Sequence, residues 1–180
     1  MWLGFTHILP KGIDHVLFVL GIFLLSRRVR LILLQVSAFT LAHSITLALS
    51  MYGLVTLPAS VVEPAIALSI AYIALENVFT AELRPRRYAL VFAFGLLHGL
   101  GFAGALTEVG LPRAEFLTAL IGFNAGVELG QLTVVAGAFF SVGYWFSDRI
   151  WYRQRVALPA SACMALLGIY WTFERLGYAV

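Results

Sequence analysis

Six runs of apolar residues, roughly 12–26, 31–52, 61–80, 88–107, 115–140 and 156–175, are separated by short stretches that hold most of the charge. Each is near the ~20 residues that carry a helix, at ~1.5 Å per residue, through a hydrocarbon core ~30 Å thick. The first run is short for that purpose, and Pro10 and Gly12 argue against extending it as one helix through residues 2–11. Residues 2–9 therefore read as a separate segment that dips into the membrane or lies on it. The pattern predicts an all-α polytopic membrane protein, a single transmembrane domain over residues 1–180, with about six spanning helices plus the short N-terminal segment.

Composition makes the bilayer the solvent. Of the 180 residues, 61% are hydrophobic and 12% charged, where a soluble domain holds about 45–50% and about 25%. Mean hydropathy is +0.92. The net charge of +3 does not point to nucleic acid, because the arginines fall in short loops. Cys163 is the only cysteine, which excludes an intrachain disulfide and a thiolate metal cluster. The N-terminus shows no basic region or cleavage site of a signal peptide.

The arginines also predict orientation. "SRRVR" (26–30), "ELRPRR" (82–87) and "DRIWYRQR" (148–155) hold three each, the 53–60 loop is uncharged, and "EVGLPRAE" (108–115) sets one arginine against two glutamates. The positive-inside rule places the three basic loops in the cytoplasm and both termini outside. On this reading no Arg or Lys lies within the bundle, which disfavours an anion pore.

Ionisable groups inside a membrane are expensive and mark function by default. His7, Asp14, His15, His43, Glu63, Glu76, His98 and Glu128 lie in or beside the spanning runs, and these include all four histidines of the chain. The predicted topology puts Asp14 and His15 in the first outer turn of their helix and Glu63 at the outer end of its own. His43 falls ~18 Å and His98 ~15 Å up from the inner side, and Asn124, Glu128 and Gln131 ~14–24 Å down from the outer side. Asn124, Glu128 and Gln131 form an i, i+4, i+7 stripe, whereas Gly122, Gly126 and Gly130 form GxxxGxxxG on another face, where a second helix can approach closely. Ser37, Thr40, His43, Ser44 and Ser50 share the second run, although such hydroxyls often only bond the carbonyl at i−4. Ser69, Tyr72, Glu76 and Thr80 share the third run, and the glycines of "GLLHGLGFAG", Gly95, Gly99, Gly101 and Gly104, suit close packing beside His98. The sixth run, with Ser161, Cys163 and Tyr170, reads as scaffold.

Imidazole and carboxylate without thiolate suit a borderline divalent ion such as Ni²⁺, Zn²⁺, Co²⁺ or Cu²⁺, whereas Mg²⁺ or Ca²⁺ asks for oxygen alone. A proton pump would leave the whole inner half to Glu76 and Asn77. The expected arrangement is an outer group of His7, Asp14 and His15 and a deeper group of His43, His98 and Glu128, with Ser44, Glu63, Glu76, Asn77, Asn124 and Gln131 along the path. Adjacent Asp14 and His15 point about 100° apart on a helix, so they need not share one ion. Asp14 also suits a helix N-terminus as a dipole partner.

Five blocks, "HILPKGIDHVLFVLGIFLL", "FTLAHSITLALS", "VEPAIALSIAYIALEN", "GLLHGLGFAGAL" and "FNAGVELGQ", occur in that order between residue 4 and about residue 132. Together they resemble the HupE/UreJ family of bacterial membrane proteins. The C-terminal third adds little to the resemblance. The resemblance implies a nickel or cobalt permease of hydrogenase and urease accessory loci, seated in the bacterial inner membrane. It also implies metal contact through the HxxxxxxDH block, here His7, Asp14 and His15. Copper or zinc handling stays open, as do two other roles: an intramembrane zinc-dependent hydrolase and a metal-binding accessory subunit. The expected partners are the lipid bilayer and the metal ion, with a homo-oligomer left open and no nucleic acid.

Overall fold

The fold is that of a computed structural model, which describes residues 1–26, 28–108 and 115–178, without the side chains of 102–108. Arg27 and the 109–114 part of the fourth loop lie outside the described residues. Among these there are only helices: α1 (Trp2–Ile8), α2 (Ile13–Leu25), α3 (Val29–Met51), α4 (Ala59–Phe79), α5 (Arg86–Glu108), α6 (Phe116–Ala138), α7 (Tyr144–Phe146) and α8 (Leu158–Arg175), with π-helical turns at Phe139–Gly143 and Arg153–Ala157. Four spans are long and apolar enough to cross a bilayer, and α1 with α2, bent by 70°, passes as a fifth, broken one. α5, 23 residues long, runs alongside α3. The outer surface is apolar as lipid requires, with Leu34, Leu41, Leu68, Phe79, Leu117, Ile121, Phe140 and Leu166 all exposed.

Small residues decide which helices touch. A Cβ on Gly95 or Gly99 would strike the Phe39 or His43 carbonyl, so the glycine face of α5 lies backbone-to-backbone on α3. Gly168 of α8 meets Ala67 and Ala71 of α4 in the same way. The GxxxGxxxG face of α6 receives α1: a Cβ on Gly126 would meet the Met1 carbonyl and the Phe5 amide, and one on Gly4 the Phe123 carbonyl. The second helix anticipated for that face is therefore α1. The segment read as dipping into the membrane or lying on it is a seven-residue helix docked against the bundle.

Two boundaries differ from the sequence reading. The fifth run continues to Phe146, giving a 31-residue span, because the π-turn inserts a residue without ending the helix. The 82–87 stretch is not all loop. α5 starts at Arg86, and Arg87 is fully buried, which corrects the expectation that no arginine enters the bundle. Arg87 is stabilised there by Glu76 in the last turn of α4: its Nη1 donates to Glu76 Oε2 at 2.7 Å, Nε to Gln35 Oε1 at 3.2 Å and Nη2 to the Gly21 carbonyl at 3.2 Å.

Candidate metal centre

α2, α3 and α5 each turn one histidine into the bundle: His15, His43 and His98 are 6%, 0% and 1% exposed. α1 brings a fourth. The turn at Pro10–Gly12 folds α1 back over α2, and Gly12 lies so close to the His7 carbonyl that a Cβ would strike it. His7 thereby reaches the interior. Ring nitrogens of His7, His15 and His43 lie within 4.8 Å of one another. His98 stands edge-on to His15 with ring centroids 4.8 Å apart. Nε2 of His15, Nε2 of His43 and Nδ1 of His98 are buried and have no hydrogen-bond partner.

Two of these rings are held from behind. His98 Nε2 lies 3.0 Å from Ser69 Oγ, and that hydroxyl lies 2.7 Å from the Ile66 carbonyl. His43 Nδ1 lies 3.4 Å from Asn124 Oδ1, whose amide nitrogen donates to the Leu120 carbonyl at 2.9 Å. Below the imidazoles sits an aromatic layer, which follows from helical spacing. Phe18 is three residues from His15, Phe39 four from His43 and Phe94 four from His98, each one turn toward the Arg87 end. Phe18 lies 4.9 Å from Phe39 and 5.9 Å from Phe94, centroid to centroid.

Above the imidazoles a cavity of about 200 Å³ is lined by His7, His15, His98, Lys11, Asp14, Glu63 and Arg175, among others. Arg175 Nη2 donates to both carboxylate oxygens of Asp14, at 2.9 and 3.1 Å, and its Nη1 donates to the Glu63 carbonyl at 3.2 Å. The Arg175 guanidinium also lies over the Trp171 ring, 5.4 Å from its centroid.

The structure redistributes the expected site residues. The two groups placed at separate depths meet in one cluster of imidazoles, because the turn at Pro10–Gly12 brings His7 inward and His15 lies beside both His43 and His98. Neither carboxylate is in the converging set among the described residues. Asp14 points to Arg175, as the 100° offset from His15 allows. Glu128 lies on the outer seam of α3 and α6, where Ser37 Oγ donates to it at 2.7 Å. Gln131 Oε1 accepts from Thr40 at 2.8 Å, and Ser44 donates to the Thr40 carbonyl at 2.7 Å. Glu63 lines the cavity mouth. Glu76 binds Arg87, and Asn77 Nδ2 donates to the Gly21 carbonyl at 2.8 Å. Arg175, Arg87 and Ser69 were not singled out for these roles. Arg175 had a visible signal: it is a basic residue ending a run on the side otherwise poor in arginine.

An unpaired buried polar atom costs roughly 1–3 kcal/mol, and three of them, on His15, His43 and His98, lie in one cluster of imidazoles whose converging set, His7, His15 and His43, holds no carboxylate among the described residues. Such a set of lone pairs suits a borderline divalent cation. A family model described as HupE / UreJ protein matches residues 1–175. The chain belongs to the HupE/UreJ family. The match runs through α8, beyond the five blocks, and so includes the helix that brings Arg175 over the HupE/UreJ cavity. No curated protein and no solved structure matches the chain.

Proposed function

We propose that this protein is a permease for a divalent transition metal ion, nickel first and cobalt, copper or zinc after it. His7, His15 and His43 seat the ion, and His98, edge-on to His15, is a further ligand that also takes part in its onward passage. One observation carries the reading: ring nitrogens of His7, His15 and His43 lie within 4.8 Å of one another, Nε2 of His15 and of His43 is buried without a hydrogen-bond partner, and His7 and His15 line a cavity in a membrane-embedded bundle. Neutral imidazoles hold a dication without adding opposing charge, which favours a site that releases its ion, as permeation demands. Nickel rests on the family. The arginine-rich loops support a cavity opening outward, with both termini outside the bacterial inner membrane. The path is closed toward the Arg87 end by the Phe18–Phe39–Phe94 layer, so passage requires these rings to part. Glu63 and the Arg175-paired Asp14 stand at the mouth, and Asn124 acts through His43.

The test is uptake of Ni²⁺ into proteoliposomes across a concentration series, with Mg²⁺ as the oxygen-seeking control. Saturable Ni²⁺ uptake that Mg²⁺ does not match supports the reading. Tight Ni²⁺ binding with no flux under any gradient overturns it in favour of a metal-binding subunit or a hydrolase.

A further inference from the structure

Ser69 stands behind His98 with no room for choice about its proton. A hydroxyl has one hydrogen. The Ser69 oxygen lies 2.7 Å from the Ile66 carbonyl oxygen, and two oxygens so close repel unless a proton sits between them. Ser69 therefore donates to Ile66, and toward His98 Nε2, 3.0 Å away, it offers only a lone pair. That contact is a hydrogen bond only if Nε2 carries the proton. In the neutral ring Nδ1 is then bare, and it is the buried nitrogen of His98 that has no partner. Asn124 repeats the device more loosely on α6. Its amide nitrogen is committed to Leu120, so its oxygen accepts from His43 Nδ1, and the bare nitrogen of His43 is Nε2.

We infer that Ser69 is a positioning residue that locks His98 in the Nε2–H tautomer, so that His98 meets the ion through Nδ1, with Asn124 setting His43 to bind through Nε2. The inference rests on reading the histidine cluster as the ion's seat. It adds which nitrogen binds and what decides it. Ring nitrogens of metal-binding histidines are commonly fixed by a partner on the far nitrogen, and loss of that partner costs about 10–100-fold in affinity. Here the partner is a hydroxyl anchored to its own helix. It carries no charge, so it supports binding by orienting the ring and fixing its tautomer, without the added basicity a carboxylate partner would lend.

The test is ¹⁵N NMR of histidine-labelled full-length protein, free of metal and then titrated with Zn²⁺ as a diamagnetic probe, with the His98→Ala spectrum assigning the ring. His98 of the wild type is expected to show a protonated Nε2 and a bare Nδ1, and Zn²⁺ is expected to move the Nδ1 resonance while Nε2 stays protonated. In Ser69→Ala the two tautomers should mix and Zn²⁺ affinity fall by about 10-fold, and Ser69→Thr, which keeps the hydroxyl, should restore both. A wild-type His98 protonated at Nδ1, or a tautomer and affinity unmoved by Ser69→Ala, overturns the inference; the first outcome does not need Ser69→Ala to fold. If the tautomer and Zn²⁺ shifts appear as expected while proteoliposomes move no metal, the positioning role stands and the permease reading alone falls.

Discussion

The bundle buries two polar clusters, ~12–17 Å apart along α3 and α5, and they are built in opposite ways. Around Arg87 each guanidinium nitrogen has an acceptor: Glu76, Gln35 and the Gly21 carbonyl, the last shared with Asn77. Asn77 Oδ1 is the exception there. In the second cluster His43 and His98 are partnered on the far side of the ring and bare on the near side. In the first cluster the Arg87 side chain is fully buried; the second floors a cavity of about 200 Å³. A satisfied buried network rigidifies, whereas an unsatisfied one calls for an explanation outside the chain. The Arg87 cluster thus closes the bundle at its own end, and the histidine cluster is the part left for a ligand.

The comparison breaks most visibly through Arg87. Arg87→Leu strands Glu76 in the interior, and breaking one half of a buried pair costs about 3–5 kcal/mol. The expected result is a large loss of folded protein in detergent, measured by chemical denaturation. His15→Leu removes a nitrogen that has no partner and nearly conserves the side-chain volume, so it should change stability by less than ~1.5 kcal/mol. Equal losses for the two variants would show that the clusters do not differ in the way argued.

The next effect is on the ion. His43→Ala should weaken Ni²⁺ binding by at least ~10-fold, or ~1.4 kcal/mol, while Glu128→Gln, on the outer seam, should leave it within about twofold. The sign of the pH dependence follows from the ligands. Imidazole binds a metal only when neutral, so protons compete and affinity falls on acidification. Calorimetry at about pH 7.5 and 5.5 checks both statements. Binding that is indifferent to pH would remove imidazole from the site.

Much of this was legible in the sequence. The apolar runs located the helices, the glycine spacing of α6 and α5 marked the faces where helices touch, and four histidines outside the basic loops marked the chemistry. The remainder depends on geometry that spacing along a helix cannot carry. Depth was reckoned on straight helices, and the 70° bend between α1 and α2 moves His7 relative to any such axis. Asp14 and His15 are neighbours in the chain but face different ways, and only the fold decides which faces inward. Arg87 was absorbed into a basic loop because charge patterning counts arginines without asking what lies across the turn. Glu76, in the last turn of the preceding helix, was the available sign.

α1 sharpens the comparison from the side, because it supplies a histidine to one cluster and nothing to the other. Gly126→Leu should push α1 off α6, costing about 1–3 kcal/mol by overpacking, and should weaken Ni²⁺ binding more than Arg87-cluster variants of equal stability do. Gly137, whose missing Cβ faces open space, provides the control. Gly137→Leu should leave both stability and binding nearly unchanged. Parallel losses for Gly126→Leu and Gly137→Leu would argue against a docked α1.

The smallest effect concerns the mouth of the cavity. Arg175 and Asp14 are bidentately paired, yet their side chains are 22% and 27% exposed, so the pair is screened by solvent and contributes less than ~1 kcal/mol to stability. Its consequence for the ion is electrostatic. With Arg175 in place the Asp14 carboxylate is neutralised, and a positive charge stands over a cavity that a dication enters. Arg175→Met keeps a stem that can lie on Trp171 but removes the charge, leaving the Asp14 carboxylate unopposed by Arg175 in the cavity lining. Uptake at limiting Ni²⁺ should therefore rise by about two- to threefold, while the saturated rate, set below the mouth, stays the same. Because charges at an aqueous mouth are screened over ~10 Å at 0.1 M salt and ~3 Å at 1 M, the gain should vanish as ionic strength is raised. A gain that persists in high salt would mean that Arg175 obstructs the cavity by its bulk, and a fall in uptake would mean that the guanidinium holds Asp14 and α8 in the geometry the ion needs.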